Sequence, residues 1–331
     1  MFARSKATLV ATVLVALVTL IATPLTVSAR TISLTRPNFL LDNFSELQYG
    51  LPWTFNMFNP TPEPDWGNQP YWWPMENSGY MERDYNMPCS SAGTECVTHG
   101  VDANGKGYVR MMVSPYTQMI VGEYHEAALT ETNHGFSYND PKRWVPEVGK
   151  PVILTATVRW NGVYKSDGTG GFVGSSGVYL WNMPADYTTF TFHAPKAIGL
   201  DLMDVSAPEG MSGLGVTVAD ITNDNLANPI IFPANEWVKD VYTKSIDLTK
   251  WMQFTMIWSV DRHGTQHLKA WINLDLVTDR DLARPLPPLA VELWNDNYLI
   301  TDMGDGTIML GTQMINTQQN FDIGFISVLK M

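Results

Sequence analysis

Short segments that alternate apolar and polar residues with a period of two constrain the fold of this chain most. In "PVILTATVRWNG" (residues 151–162), every second residue from Val152 to Trp160 is apolar. The segments "SSGVYLWNM", "WMQFTMIWSV", "HLKAWINLDLV", "LAVELWND" and "FDIGFISVLKM" behave similarly and are bounded by Gly, Pro, Asn or Asp. Such segments are typical of β-strands. Several are apolar on both faces, which favours strands packed between two layers. The sequence therefore predicts an all-β fold, a two-sheet antiparallel β-sandwich.

Two segments are predicted to differ from this pattern. "DRHGTQ" (residues 261–266) is typical of a hairpin turn between two strands. "VKDVYTKSIDL" (residues 238–248) is predicted to form at most one or two helical turns. Residues 60–98 are rich in Pro, Asn and aromatic residues without a clear period, so they are predicted to form a long loop folded onto the sandwich.

The N-terminal residues 1–29 resemble a secretory signal peptide. Arg4 and Lys6 precede an apolar stretch, and Ser28 and Ala29 provide small residues for cleavage. The alternative is an uncleaved membrane anchor, because about 20 apolar residues span a bilayer. We expect cleavage, with residues 30–331 forming one domain that is secreted or associated with the cell surface and no longer bound to a membrane.

The net charge argues against one class of partner, and the two cysteines predict a disulfide. The chain has 33 acidic and 21 basic residues, a formal net charge of −12, which argues against nucleic acid as a partner. Cys89 and Cys96 are the only cysteines, and in an exported chain this pair is predicted to form a disulfide. A metal site there is disfavoured, because no further ligands cluster nearby.

The order of these segments resembles the concanavalin A-like jelly rolls, and within them glycoside hydrolase family 16. "FLLDNF" resembles the opening strand of that family, "VGKPVILTATVRW" an edge strand and "KAIGLDLMD" the catalytic strand. The resemblance implies a protein that acts on or recognises a β-linked polysaccharide. It implies no required cofactor, and it allows a structural calcium ion without identifying the ligands. "DMGDGT" (residues 302–307) is interpreted as a polar turn rather than a calcium loop.

The catalytic motif of that family is altered here. The family strand carries Glu-x-Asp-x-x-Glu, and the resemblance aligns Gly199, Asp201 and Asp204 with its nucleophile, middle Asp and acid/base. Gly199 cannot be a nucleophile, and only a β-bulge lets Asp201 and Asp204 share a face. Under an enzymatic hypothesis, Asp204 or Glu292 donates the proton and Asp201 acts as base or charge stabiliser. Alternatively, both Asp residues are structural.

Four aromatic residues are candidate platforms for sugar rings: Tyr179, Trp181, Trp271 and Trp294. Their alternative role is core packing, since large aromatic residues dominate protein interiors. Three functions remain open at this stage. The chain is a glycoside hydrolase with a rearranged site, a glycan-binding protein without catalysis, or a structural protein of an envelope or matrix, and a filled sheet face would favour the last.

Overall fold

The computed structural model describes residues 33–36, 38–45, 72–78, 97–113, 125–131, 144–161, 174–182, 195–204, 207–222, 230–296, 298–312 and 318–331. Residues 31–331 cluster as one compact unit. The strands are β1 (Ser33–Arg36), β2 (Phe39–Asp42), β3 (Trp72–Ser78), β4 (Val97–Val101), β5 (Gly107–Val113), β6 (His125–Glu131), β7 (Val152–Asn161), β8 (Ser175–Trp181), β9 (Lys196–Met203), β10 (Gly213–Asp220), β11 (Ile230–Pro233), β12 (Trp237–Val241), β13 (Met252–Val260), β14 (Gln266–Ile272), β15 (Asp275–Asp281), β16 (Ala290–Asp296), β17 (Tyr298–Asp302), β18 (Thr307–Thr312) and β19 (Gln319–Lys330).

These strands form three antiparallel sheets. The nine-stranded sheet runs β1-β2-β19-β7-β13-β14-β15, with β5 beside β19 and β4 beside β5. The seven-stranded sheet runs β12-β10-β9-β8-β16-β6-β3, and a three-stranded sheet runs β11-β18-β17. Within the described residues, the only helix is a single 3-10 turn, Ala234–Glu236. The predicted all-β, antiparallel sandwich is therefore confirmed.

The main core lies between the nine-stranded and the seven-stranded sheets. The alternating residues of β7, from Val152 to Trp160, are completely buried in it. From the other sheet, Ile198, Leu200 and Leu202 of β9 enter the same cluster. Residues of the opposite parity on each sheet point away from this core, and we call those surfaces the outer face of each sheet.

Four predicted elements differ in the structure. "VGKPVILTATVRW" was predicted to be an edge strand, but β7 lies between β19 and β13. "VKDVYTKSIDL" was predicted to be helical, but its first part extends β12, which pairs with β10. "HLKAWINLDLV" is divided by a two-residue turn at Asn273 and Leu274, both of which have positive φ. The predicted loop over residues 60–98 contains β3, an edge strand paired with β6.

Physical reasons account for these differences. β7 is apolar on both faces near its start, which suits a strand with neighbours on both sides. β12 is stabilised by its pairing with β10, a tertiary contact that outweighs local helix propensity. Pro74 fits in β3 because an edge strand tolerates a residue without an amide hydrogen. The hairpin turn predicted at residues 261–266 is confirmed, with Asp261 Oδ1 accepting the amide of Thr265 at 2.9 Å.

Candidate functional site

The outer face of the seven-stranded sheet brings together most of the residues that the sequence singled out. Glu292 on β16 is the register partner of Tyr179 on β8, and Tyr179 is in turn the partner of Gly199 on β9. Two residues from Tyr179 on β8, Gly177 pairs with Asp201 of β9 on one side and with Trp294 of β16 on the other. All of these residues have the same parity and lie on the outer face.

Three aromatic rings form a compact cluster there. The ring centroids of Tyr179 and Trp294 are 4.1 Å apart, and those of Trp181 and Trp294 are 3.8 Å apart. Tyr179 and Trp294 are buried, whereas Trp181 is half-buried. Trp294 Nε1 also donates a hydrogen bond of 3.2 Å to Ser175 Oγ. Trp181 is therefore the member of this cluster with the most accessible ring.

Glycines on the same face make room for the Tyr179 ring. A Cβ atom at Gly199 would lie 2.2 Å from the carbonyl oxygen of Val178 and 3.0 Å from the Tyr179 ring. A Cβ atom at Gly177 would lie 2.7 Å from the same ring. Position 199, which the sequence resemblance aligned with a nucleophile, therefore has no room for a side chain.

Asp201 is a buried carboxylate with one cationic neighbour. Its Oδ2 accepts a hydrogen bond of 3.1 Å from Thr217 Oγ1, and Lys239 Nζ lies 3.8 Å from the same oxygen. Burial raises the pKa of Asp201, an effect that Lys239 opposes. Burial also lowers the pKa of Lys239 to about 8, and Asp201 opposes that shift. Lys239 Nζ donates a further hydrogen bond of 2.6 Å to the carbonyl of Gly213.

The Tyr179 hydroxyl lies near these acidic groups. Burial raises its pKa well above the usual range, and the carboxylates of Asp201, Asp296 and Glu292 raise it further. Tyr179 is close enough to Asp201 to affect its pKa, although the contact between them lacks hydrogen-bond geometry. The phenol therefore stays protonated at neutral pH and can act as a hydrogen-bond donor.

Several buried polar atoms on this face have no hydrogen-bond partner among the described residues. They are Tyr179 Oη, Trp181 Nε1, Asp201 Oδ1 and Trp237 Nε1. Buried polar groups in folded proteins are nearly always paired, with the protein, with ordered water or with a bound group. Two indole nitrogens, and the Tyr179 hydroxyl and Asp201 carboxylate that face each other, therefore lie beside clustered aromatic rings where a polar ligand or water can bind.

Asp204 does not belong to this group. β9 pairs with β8 and β10 without a register shift, so no bulge turns Asp204 onto the face of Asp201. The backbone amide of Gly174 instead donates a hydrogen bond of 2.9 Å to Asp204 Oδ2, and the Asp204 amide donates one of 3.1 Å to the Gly174 carbonyl. Asp204 thus holds the start of β8 against the end of β9.

The remaining predicted site residues lie elsewhere. Trp271 is half-buried on β14 of the nine-stranded sheet, where Lys269 Nζ lies 5.8 Å from its ring centroid. It therefore belongs to a different sheet from the other three aromatic residues. Cys89 and Cys96 are outside the described residues, so their predicted disulfide stays a prediction.

Sequence reasoning missed Lys239, Thr217 and Trp237. Lys239 and Trp237 share a face of β12, two residues apart, and Lys239 is the register partner of Thr217. The signal was the alternation in "WVKDV", whose last four residues were interpreted as part of a helical segment. If residues 237–241 had been predicted as a strand, Lys239 would have been placed on the same face as Trp237. A lysine on a face with an aromatic residue is a candidate for a buried cation.

In the described part of the chain, no group of three or more His, Cys, Asp or Glu residues could hold a metal ion. Residues 302–307 join β17 and β18 as a polar turn, with Asp302 Oδ1 accepting the amide of Gly304 at 2.8 Å. Among the residues that the structure describes, no helix is long and apolar enough to cross a membrane.

Comparison with known proteins gives distant structural neighbours. No family model matches the sequence, and no curated protein matches it. Among solved structures, an endo-β-1,4-glucuronan lyase from the fungus Trichoderma reesei matches with 11% identity and a TM-score of 0.40, over 71% of this chain and 87% of the lyase. The Emp47p carbohydrate recognition domain matches with 10% identity and a TM-score of 0.36, over 92% of this chain and 99% of the domain. A legume lectin-like domain from Entamoeba histolytica matches with 11% identity and a TM-score of 0.35, over 71% and 89%.

Proposed function

We propose that the protein binds a polysaccharide on the outer face of the seven-stranded sheet. One observation carries this proposal, namely the unpartnered buried atoms Tyr179 Oη, Trp181 Nε1 and Asp201 Oδ1 beside a cluster of aromatic rings. A sugar ring presents C–H groups that pack on aromatic faces and hydroxyl groups that exchange hydrogen bonds. Apolar surfaces with a few convergent polar groups are the usual form of a small-molecule site.

Trp181 is the expected entry point. It is the half-buried member of the cluster, whereas Tyr179 and Asp201 are completely buried. Phe232, Ile300 and Ile308 of the three-stranded sheet join a hydrophobic cluster with Tyr179 and Trp294. A ligand that reaches Asp201 or the buried Trp181 Nε1 therefore has to displace water or move part of this cover, whereas a ligand on the exposed part of the Trp181 ring does not.

A binding experiment with matched tryptophan variants tests this proposal. The purified chain is titrated with neutral β-glucan and galactan oligosaccharides, followed by calorimetry. We expect Trp181→Ala to weaken binding at least tenfold, because it removes both the ring and its Nε1 donor. Trp271→Ala, on the other sheet, is the control and should leave the affinity unchanged. Equal affinities in the two variants would contradict the proposed face.

A structural role is favoured by the filling of this face, because Asp201 and Tyr179 are completely buried, and it is the alternative if no ligand binds. The outer face is then a second core, and its unpartnered atoms are satisfied by water. Absence of binding to every oligosaccharide, with a folded protein in hand, would contradict the binding proposal and favour that alternative. It would also remove the family 16 resemblance as a guide to function.

Glycoside hydrolysis is the second candidate, and Asp201 is the observation that favours it. Burial raises its pKa, which suits a carboxyl group that donates a proton and not the base that the sequence predicted at this position. Glu292 is on the same face, two strands and two residues away, so the two Cα atoms are about 12 Å apart by sheet geometry. Inverting enzymes hold their carboxyl groups about 6.5–9.5 Å apart. Hydrolysis therefore requires both side chains to lean towards Tyr179, which lies between them.

The test for hydrolysis is the release of reducing ends from β-glucans and galactans. Asp201→Asn and Glu292→Gln should each abolish release, whereas Asp204→Asn should reduce stability without abolishing it. Release that survives both substitutions would exclude this pair as the catalytic residues. The family 16 retaining mechanism is not proposed, because Gly199 supplies no nucleophile.

Export is also proposed from the sequence. Residues 1–29 are expected to be removed, with Cys89 and Cys96 joined in the exported protein. Mass spectrometry of protein recovered from the medium would show Arg30 at the N terminus and a mass 2 Da below that of the reduced chain, one hydrogen being lost from each thiol. An intact N terminus would support the membrane-anchor alternative.

A further inference from the structure

A cluster of arginine and aromatic side chains lies on the outer face of the nine-stranded sheet. Asp322 on β19 is the register partner of Arg110 on β5 and of Arg159 on β7. The three charged residues therefore form one cross-strand row. Since the two sheets pack through their inner faces, this row lies on the opposite side of the sandwich from the face that carries Tyr179.

Asp322 is completely buried beneath its partners. Its Oδ1 accepts Arg110 Nε at 2.7 Å, and its Oδ2 accepts Arg110 Nη2 at 2.9 Å. Oδ2 also accepts Arg159 Nε at 2.9 Å and the side-chain amide of Asn161. Arg110 alone forms the bidentate pair that satisfies both oxygens, so Arg159 is not needed to neutralise this carboxylate.

Arg159 is held by two aromatic rings as well as by Asp322. Its guanidinium carbon lies 4.3 Å from the ring centroid of Trp251 and 5.1 Å from that of Tyr108. These rings contact each other edge to face, with centroids 6.1 Å apart. Trp251 in turn lies over Gly324, where a Cβ atom would be 3.1 Å from the indole. The guanidinium is therefore fixed in orientation on three sides.

The terminal nitrogens of Arg159 remain available. Within the described residues, Arg159 makes one hydrogen bond, through Nε, and its side chain is 19% exposed. A guanidinium whose Nη edge reaches the surface presents two parallel donors that match the geometry of an oxyanion.

We propose that this cluster binds the oxyanion group of an acidic saccharide. The Nη edge of Arg159 would hold a carboxylate or a sulfate ester, and the exposed parts of Trp251 and Tyr108 would contact the adjacent sugar ring. The saccharide class rests on the proposed function, whereas the anion site rests on the geometry of Arg159. This site and the Trp181 face are on opposite sides of the sandwich, so the protein would bind two chains or two segments of one chain.

The test is a calorimetric titration with three tetrasaccharides. One is an oligogalacturonate, one is a sulfated galactan fragment, and one is a neutral cello-oligosaccharide. Arg159→Gln keeps Asp322 paired with Arg110 and Asn161, so the variant should fold. We expect the wild type to bind an acidic fragment and Arg159→Gln to bind it at least tenfold more weakly. Preference between the carboxylate and sulfate fragments identifies the oxyanion.

A second variant, Arg159→Lys, tests the anion site if Arg159→Gln does not fold. Arg159→Lys keeps a positive charge beside Asp322 but lacks the planar pair of donors, so it should still bind the acidic fragment several-fold more weakly. Unchanged affinity in a folded variant, or no binding of either acidic fragment to the wild type, would overturn the anion site. Trp181→Ala separates the two proposals, because it should weaken binding of the neutral fragment and leave the affinity for the acidic fragment unchanged.

Discussion

Replacement of Lys239 by methionine is expected to change how stability depends on pH. The Lys239 side chain is completely buried, with its ammonium group 3.8 Å from Asp201 Oδ2 and 2.6 Å from the Gly213 carbonyl. Burial lowers its pKa from 10.5 to about 8 in the folded state. Because methionine has similar length and carries no charge, the substitution removes the titration and leaves the packing largely intact.

The direction of the change in stability with pH follows from how many protons Lys239 binds in the folded and in the unfolded state. Between pH 8 and 10.5 the unfolded chain holds a proton on Lys239 that the folded chain has released, so the wild type gains stability as pH rises through this window. A shift of about 2.5 pKa units corresponds to about 3 kcal/mol at 1.36 kcal/mol per unit. The wild type is therefore increasingly favoured over Lys239→Met as pH rises through this window.

Urea unfolding followed by tryptophan fluorescence at pH 7, 8.5 and 10 measures this effect. We expect the free energy of unfolding of the wild type, relative to Lys239→Met, to increase by about 2–3 kcal/mol from pH 7 to pH 10. Lys106→Met, which removes an exposed lysine, is the control and should show no such change. A difference between wild type and Lys239→Met that stays constant or decreases with pH would refute the buried-lysine argument.

Three further substitutions have expected effects on the free energy of unfolding in urea. Leu274 has φ of 70° in a two-residue hairpin turn, so Leu274→Gly should stabilise the protein by about 1 kcal/mol, and a loss of stability would contradict the turn conformation. Gly199→Ala places a Cβ atom 2.2 Å from the Val178 carbonyl and should cost about 2 kcal/mol or more, and a cost below about 0.5 kcal/mol would argue against the close strand approach. Asp322→Asn should cost about 3 kcal/mol, because two arginines lose their buried partner, and a cost below about 1 kcal/mol would show that the arginines rehydrate without loss.

The alternation of apolar residues predicted the sandwich because it records burial directly. In β7, the residues that the pattern placed on one face are the ones that are completely buried. The order of the strands was harder to predict from the sequence, because neighbouring strands in a sheet are determined by contacts between residues far apart in the chain. β7 was expected at an edge by resemblance, yet β19 and β13 flank it. No local feature of residues 152–161 specifies which strands those are.

The candidate site was predictable in part, for the same reason. Tyr179, Trp181 and Trp294 were singled out as aromatic residues on alternating strands, and the register brings them together. Trp271 obeys the same alternation, but it lies on the other sheet, and alternation alone does not distinguish two sheets. Asp204 required knowledge of Gly174, thirty residues earlier, whose amide it binds.

Register links the fold to the proposed site. Tyr179, Asp201 and Glu292 face outwards because Val178, Leu200 and Leu293 face the core. A slip of one residue in β9 would bury Asp201 in the main core without Lys239 and turn Leu200 to the outer face, so the apolar pattern penalises every slip by an odd number of residues. The polar atoms of the outer face are thus positioned by the hydrophobic core behind them. Substitutions in that core that shift β9 should therefore disturb ligand binding before they unfold the sandwich.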